Sequence, residues 1–104
     1  MAAIDDILVL LEDNVAPSDA LIQGNLTLSG SAQQLTANVC RNVVIQANPS
    51  NANFVYVGNA NTVSSTVHIA ALSAGSSIEL SITNTNLAWV LGTNGEKISF
   101  GGEV

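Results

Sequence analysis

Two side chains of this 104-residue sequence have the chemistry of a nucleophilic pair, the single cysteine Cys40 and the single histidine His68. A thiol beside an imidazole can act as a nucleophile with its base, provided that a third group orients the base. Cys40 begins an apolar segment, whereas His68 lies between Val67 and Ile69 with no acidic residue near it in the sequence. We therefore expect Cys40 to be a small core residue, and we predict that the protein is not an enzyme.

The residues available for metal or phosphate binding are too few or wrongly spaced. One His and one Cys cannot complete a tetrahedral zinc site, and the spacing of the acidic residues does not match a calcium loop. Two glycine-containing segments, Gly92–Gly95 and Gly101–Gly102, could suggest a phosphate loop. Neither precedes a predicted helix, and neither is followed by a Lys-Ser/Thr pair. We therefore expect no cofactor, no metal and no small-molecule substrate.

The charge balance argues against two classes of macromolecular partner. The formal net charge is -6, and Arg41 and Lys97 are the only basic residues. Nucleic acids and anionic membrane surfaces both require clustered Lys and Arg, so we expect neither as a partner. The N-terminal stretch lacks the basic start of a secretory signal, and its apolar run is too short to cross a bilayer. We expect the protein to be made in a cytoplasm.

The surface that this composition predicts is neutral and rich in hydrogen-bonding groups. Hydrophobic residues make up 47% of the chain and charged residues only 10%, whereas soluble domains typically contain roughly 25% charged residues. Asn, Ser and Thr supply most of the remaining polarity. Such a surface is expected where other protein copies cover much of it, although a stable extracellular β module has the same composition.

Residues 1–20 form a predicted N-terminal arm and linker that precedes the main domain. Apolar side chains at helical spacing i, i+3, i+4 and i+7 favour a helix, and the residues concerned are Ile4, Ile7, Leu8 and Leu11. The alternation of Ile7, Val9 and Leu11 equally favours a strand. An apolar arm outside a small domain must be buried on its own body, a sister subunit or another protein. The arm is therefore a candidate partner contact, with a place in the core of its own domain as the alternative.

Residues 21–104 form the predicted domain, and their pattern is that of short strands. Two apolar segments, Val43–Ala47 and Phe54–Gly58, are joined by a turn rich in Asn and Pro, and a hairpin is the simplest interpretation. A strict alternation at Ile78, Leu80 and Ile82 predicts a half-buried strand. Further strands are predicted in the regions Leu21–Leu35, Val67–Ile69, Leu87–Leu91 and Lys97–Phe100, the last two joined by an Asn-Gly hairpin turn.

These elements predict an all-β fold. Seven or eight short strands at close spacing, with no helical pattern after residue 20, are typical of an antiparallel β-sandwich or a jelly roll. In the second strand of the predicted hairpin, Val55 and Val57 share one face, and Phe54 and Tyr56 share the other. The two aromatic residues can stack on a sugar, or they can pack under a loop or a neighbouring subunit. We favour packing and predict a partner interface at Phe54 and Tyr56.

A set of strand-core and turn residues also carries a family resemblance. They are Cys40, Arg41, Val43, Ile45, Ala47, Pro49 and Asn51, then Val55 to Gly58, the turn Leu72 to Ser76, and Val90 to Thr93 with Gly95 before Ile98. Through them, about residues 33–100 resemble a family of small β-sandwich modules found in proteins of tailed bacteriophages. The sequence lacks the Pro that such modules usually have in the 72–76 turn, and the first 20 residues match no part of the pattern.

The resemblance implies a structural protein of the virion. Modules of this kind occur on capsid surfaces as decoration or cement proteins, commonly as trimers, and also in tail and fibre proteins. A short chain with an N-terminal arm is more similar to a head decoration protein. The hypothesis is therefore a homotrimer on the capsid surface that binds the major capsid protein and clamps adjacent capsomers. The alternative is a tail or fibre module for assembly or host-glycan binding, which predicts Trp89 or Tyr56 on an open face.

Overall fold

The strands of this protein are short and are confirmed as the dominant secondary structure. The computed structural model describes residues 20–104, and within them the chain forms eight strands and one 3-10 helix, Thr85–Leu87. The strands are β1 Leu21–Thr27, β2 Gln33–Gln34, β3 Asn42–Ala47, β4 Val55–Gly58, β5 Ala70–Leu72, β6 Ser77–Leu80, β7 Trp89–Leu91 and β8 Lys97–Glu103. The predicted arm contacts Ile4, Ile7, Leu8 and Leu11 lie outside the described residues.

Two four-stranded sheets contain these eight strands of the described region. The first, sheet I, has the order β1-β8-β3-β6, and the second, sheet II, has the order β2-β7-β4-β5. Every pair of neighbouring strands is antiparallel. The sheets are consistent with a β-sandwich, so the predicted fold class is confirmed.

The core lies between the two sheets and follows from the alternation of each strand. Val43, Ile45 and Ala47 of β3 are completely buried, as are Val55 and Val57 of β4. A period of two places every second side chain on the same face, so each strand contributes its apolar set to one layer. Together with these five, the hydrophobic core contains Leu28, Leu35, Leu72, Ala88, Val90 and Ile98.

The predicted hairpin between β3 and β4 is wrong, although both strands exist. β3 lies between β8 and β6 in sheet I, and β4 lies between β7 and β5 in sheet II. The connecting loop crosses from one sheet to the other, and its Asn51 side chain bonds to both backbone groups of Lys97 at the start of β8. Each strand has one wholly buried apolar face, and the core separates the two faces. Pairing the strands as a hairpin would place them in one sheet.

The predicted Asn-Gly hairpin between β7 and β8 is also wrong. The turn is present, since the Glu96 N–H donates to the Thr93 carbonyl at 3.0 Å. Gly95 has a φ of +89°, and within residues 20–104 no residue other than glycine has a positive φ. A two-residue type I′ hairpin needs positive φ at both central positions, so this turn is of another type. It carries the chain from sheet II to sheet I.

The predicted strand at Val67–Ile69 is displaced along the sequence. β5 begins at Ala70, and Val67 and Ile69 are 56% and 58% exposed in the preceding loop. The Ser64 side chain accepts hydrogen bonds from the Thr66 and Val67 N–H groups, which bends the chain there instead of extending it. The half-buried alternation of Ile78, Leu80 and Ile82 is confirmed, although β6 ends at Leu80.

Candidate partner-binding surface

The outer face of sheet II is apolar, whereas a sheet face in contact with water is usually polar. Val57 and Val90 pair and point into the core, so Tyr56 and Leu91, which also pair, lie on the opposite face. Tyr56 also pairs with Ala71 of β5. One row across three strands therefore presents alanine, tyrosine and leucine outward. We call this face, together with Phe54 and His68, the aromatic surface.

Three rings are grouped at the centre of the aromatic surface. The centroids of Phe54 and Tyr56 are 6.5 Å apart with an interplanar angle of 41°. The centroids of Tyr56 and His68 are 5.1 Å apart with an angle of 43°. Tilted ring pairs at such separations are favourable because the ring edges and faces carry opposite partial charge. Phe54 remains 53% exposed, so no loop of the described region covers it.

The loop between β4 and β5 positions His68 beside Tyr56. Val63 of this loop is buried against Gly58, where a Cβ would lie 2.8 Å from the Val63 side chain. Glycine is therefore needed at position 58 for the loop to lie on sheet II. The His68 Nδ1 lies 3.1 Å from the Ser64 carbonyl, which fixes the ring relative to the turn at Ser64. The loop thus covers one end of the outer face and leaves Phe54 open.

A depression of about 650 Å³ lies beside the exposed ring of Phe54. Its apolar lining comes from Phe54, Tyr56 and Leu91, and its polar lining includes Asn53, Thr93 and Asn94. Among residues 20–104, no charged side chain lines this depression. The Glu96 carboxylate, which is nearby in the sequence, accepts hydrogen bonds from the backbone N–H groups of Ala52 and Asn53 and so holds the loop before β4.

The outer face of sheet I has a different chemistry. Its central strand β8 presents the small residues Ser99 and Gly101 outward, which produces a shallow trough of about 410 Å³. The taller side chains of the flanking strands are Gln23 and Asn25 on β1, and Val44 and Gln46 on β3. Amides and a hydroxyl supply most of the outward side chains around this trough, beside the exposed apolar side chains of Val44 and Leu21. Within the described residues, this face carries no aromatic cluster like that of sheet II, and most of the side chains around its trough can form hydrogen bonds.

Cys40 and His68 make separate contacts in the structure. The buried Cys40 thiol donates to the Ile82 carbonyl at 3.2 Å, whereas His68 contacts Tyr56 and Ser64. Burial raises the pKa of the Cys40 thiol, which disfavours the reactive thiolate. Among residues 20–104, no three His, Cys, Asp or Glu side chains gather into a possible metal site. The expectation that Cys40 is a small core residue is confirmed.

The structure brings the predicted interface residues Phe54 and Tyr56 together and adds two that sequence reasoning missed. Leu91 joins them through the β4–β7 register, and His68 joins them through the loop before β5. The sequence does indicate that Leu91 points outward, because it follows the apolar Val90, whose side chain points to the opposite face. Local pattern cannot identify the strand with which Leu91 pairs, so its contact with Tyr56 was missed. Other exposed apolar side chains in the described region include Val67, Ile69 and Leu87.

The chain was compared with protein-family models, with curated proteins and with solved structures, and none matches. Within the part of the chain that the structure describes, no helix has the length and apolar character needed to span a membrane.

Proposed function

We propose that this protein is a structural component of a tailed-phage virion, a decoration or cement protein on the capsid surface. In this proposal it forms a homotrimer and binds the major capsid protein. It clamps adjacent capsomers through non-covalent apolar and hydrogen-bonding contacts, which oppose the internal pressure of packaged DNA. The chain performs no catalytic step and needs no cofactor in this role.

The observation that carries this proposal is the exposed aromatic surface of sheet II. Soluble monomers rarely leave large contiguous apolar patches exposed, and such patches are typical of protein interaction sites. Here Phe54, Tyr56 and Leu91 form a continuous patch, with Phe54 53% exposed. Interface centres are commonly enriched in aromatic residues and depleted in charge, as this patch is. A neighbouring protein chain is the occupant that this surface fits best.

Two features of the sequence support the same role. The resemblance of residues 33–100 to phage β-sandwich modules agrees in fold with the two sheets, and the low charged fraction of 10% suits a surface that other chains cover. In the proposal the trimer forms through the aromatic surface of the sandwich, and the arm grips the capsid lattice. The arm residues that we expect to contact the shell are Ile4, Ile7, Leu8 and Leu11.

The proposal is tested by binding the purified full-length chain to capsid shells that lack decoration protein, with cosedimentation as the measurement. Deleting residues 1–16 should abolish binding and leave a folded sandwich, because the deleted segment lies outside the described strands. Replacing Phe54 and Tyr56 by Ser should weaken binding at least about tenfold through loss of the trimer. The matched control replaces Val44 and Gln46 by Ser on the outer face of sheet I, and it should bind like the wild type.

Two results would contradict the proposal. Unchanged shell binding by the chain without residues 1–16 would refute the role of the arm. A wild-type chain that remains monomeric at shell-binding concentrations would refute the trimer, and light scattering on the eluting protein measures this directly.

A tail or fibre module that binds a host glycan is the second candidate, and the depression beside Phe54 favours it. Sugar rings present polarised C–H groups that stack on aromatic faces, and their hydroxyls bond to amide and hydroxyl side chains. The depression offers the Phe54 and Tyr56 rings beside Asn53 and Thr93, and its size of about 650 Å³ is in the range of ligand sites. Glycan-array binding that is lost on Phe54→Ala would favour this function over the first.

A further inference from the structure

Strand β1 is an open edge of sheet I, and it is the longest edge strand in the described region. It has seven residues and, among the strands of residues 20–104, pairs only with β8, whereas the opposite edge strand β6 has four. The edge strands of sheet II, β2 and β5, have two and three residues. An edge strand presents a row of backbone groups that can pair with another chain.

The hydrogen bonds at both ends of β1 show which of its backbone groups are available. The Val104 N–H donates to the Ala20 carbonyl at 3.0 Å, and the Leu28 N–H donates to the Glu96 carbonyl at 2.8 Å. In an antiparallel ladder the bonded pairs alternate, so the even-numbered residues of β1 bond to β8. The N–H and C=O groups of Leu21, Gln23 and Asn25 consequently point away from β8.

One end of this edge is already covered within the molecule. The Gln33 side chain donates to the Thr27 carbonyl at 3.4 Å. The open length of the edge is therefore Leu21–Asn25, with three N–H groups and three carbonyls on its outer side. Among the described residues, no hydrogen bond to these six groups is found.

β1 also lacks the features that usually prevent edge strands from pairing. Its sequence, LIQGNLT, contains no charged residue and no proline. Its register with β8 runs without a bulge from Leu21↔Glu103 to Thr27↔Lys97. Natural edge strands are normally protected by charges, proline, bulges or short length. The opposite edge β6 has two of these protections, its shorter length and Glu79.

We infer that β1 pairs antiparallel with β1 of a second copy of this chain, about a twofold axis that passes at Gln23. This register places Leu21 opposite Asn25 of the second copy and Gln23 opposite its equivalent. All six open groups of each copy then bond, so the twelve groups give about six hydrogen bonds across the joint. The two sheets I become one continuous eight-stranded sheet, and the aromatic surfaces are left free for other contacts.

Charge complementarity favours this occupant and orientation. The chain carries a net charge of -6, so a self-pairing edge must avoid bringing acidic groups together. β1 has no charge, and the nearest acidic residue on the adjacent strand is Glu103, opposite Leu21. Antiparallel pairing places the two Glu103 residues at opposite ends of the joint, whereas parallel pairing would place them on the same side. A copy of this chain can therefore pair with the edge without placing like charges directly opposite each other.

A disulfide experiment tests the pairing and its register. Gln23→Cys is made in the full-length chain with Cys40→Ser, which keeps a hydroxyl donor for the Ile82 carbonyl. Residues in a hydrogen-bonded antiparallel pair have Cα atoms about 5.5 Å apart, within disulfide range. Under mild oxidation we expect a covalent dimer on a denaturing gel, formed at least about tenfold faster than with Gln46→Cys. Gln46 lies on the same outer face but on the interior strand β3.

A proline experiment tests which edge is used. Asn25→Pro removes an outward N–H that the fold does not use, so it should raise the dissociation constant of the pair about tenfold or more. Ser77→Pro removes an outward N–H on the opposite edge strand β6. Ile45 and Ile78 form a hydrogen-bonded pair, so the backbone N–H of the neighbouring Ser77 points away from β3. This variant should leave the pair intact. Sedimentation measures association, and circular dichroism checks that each variant folds.

The outcomes separate this inference from the proposed function. Equal crosslinking of Gln23→Cys and Gln46→Cys would overturn the pairing. If Asn25→Pro fails to fold, the disulfide result alone decides. If Ser77→Pro weakens association as strongly as Asn25→Pro does, β1 pairs with β6 of the second copy. That result would also overturn the inference that β1 pairs with β1. A covalent dimer that does not bind shells would leave the pairing standing and refute only the capsid role.

Discussion

The outer faces of the two sheets differ although their inner faces are alike. Both inner faces are apolar, as Ile45 on sheet I and Val57 on sheet II show by their complete burial. Outside, sheet I presents mainly amides and small residues, with Leu21 and Val44 among them, whereas sheet II presents Tyr56 and Leu91 in one row. The inner faces are therefore explained by folding alone. The difference between the outer faces is the observation on which the proposed partner contact of sheet II rests.

The open β1 edge adds a second contrast between the sheets. Sheet I has a polar outer face but a long uncharged edge, whereas sheet II has an apolar face and edges of two and three residues. Face contacts rely on the burial of side chains, and edge contacts rely on backbone hydrogen bonds. The two proposed contacts therefore use different physical interactions, and each can be disrupted without the other.

The largest expected effect distinguishes the inner face from the outer face of one strand. Ile45→Asp places a carboxylate in the completely buried core, where its desolvation costs several kcal/mol out of a total stability of about 5–15 kcal/mol. We expect this variant to be unfolded by circular dichroism. Val44→Asp, one residue earlier on the partly exposed outer face, should remain folded. A folded Ile45→Asp variant with a normal melting transition would contradict the assigned core.

The next effect compares the two outer faces directly. Leu91→Lys places a charge in the row that contains Tyr56 and should weaken trimer formation through the aromatic surface about a hundredfold, equivalent to roughly 2.7 kcal/mol, while the β1 pair persists. Ser99→Lys makes the same change of charge on the outer face of sheet I and should leave association unchanged. Sedimentation equilibrium measures both. Equal weakening by the two variants would remove the functional distinction between the faces.

A smaller effect concerns the loop that separates β3 and β4 into different sheets. Asn51→Ala removes the two hydrogen bonds to Lys97, at 2.8 and 3.1 Å, and should lower the free energy of unfolding by about 1–3 kcal/mol. Asn59→Ala, at an exposed position of the next loop, should change it by less than about 0.5 kcal/mol. Urea denaturation measures both values. Similar values for the two variants would show that Asn51 does not anchor the crossing.

The smallest effect concerns Cys40, whose thiol is buried beside sheet I. Burial raises its pKa in the folded state, so the unfolded chain loses the thiol proton at lower pH than the folded chain. Stability should therefore be retained below the unfolded thiol pKa of about 8.5 and decrease as the pH rises above it. Cys40→Ser should remove this part of the pH dependence. Urea midpoints at several alkaline pH values measure it, and identical profiles for both proteins would contradict it.

Local alternation determined much of the fold but not the pairing of strands. The strand cores at Val43 to Ala47, at Val55 and Val57, and at Ile78 and Leu80 were predicted with the correct inward faces, because a period of two is visible within one strand. The arm containing Ile4, Ile7, Leu8 and Leu11 was inferred from the spacing of its apolar residues and stays a prediction. Both predicted hairpins failed, because a turn-rich segment looks the same whether it closes a hairpin or crosses between sheets.

The candidate surface shows the same division between sequence and tertiary structure. Phe54 and Tyr56 are two residues apart, so their shared face followed from the sequence by itself. Leu91 and His68 reach Tyr56 only through the β4–β7 register and the loop that packs Val63 against Gly58. Those contacts join residues far apart along the chain, and burial of the whole core selects them. The sequence therefore determined which side chains face outward, and the tertiary structure decided which of them meet.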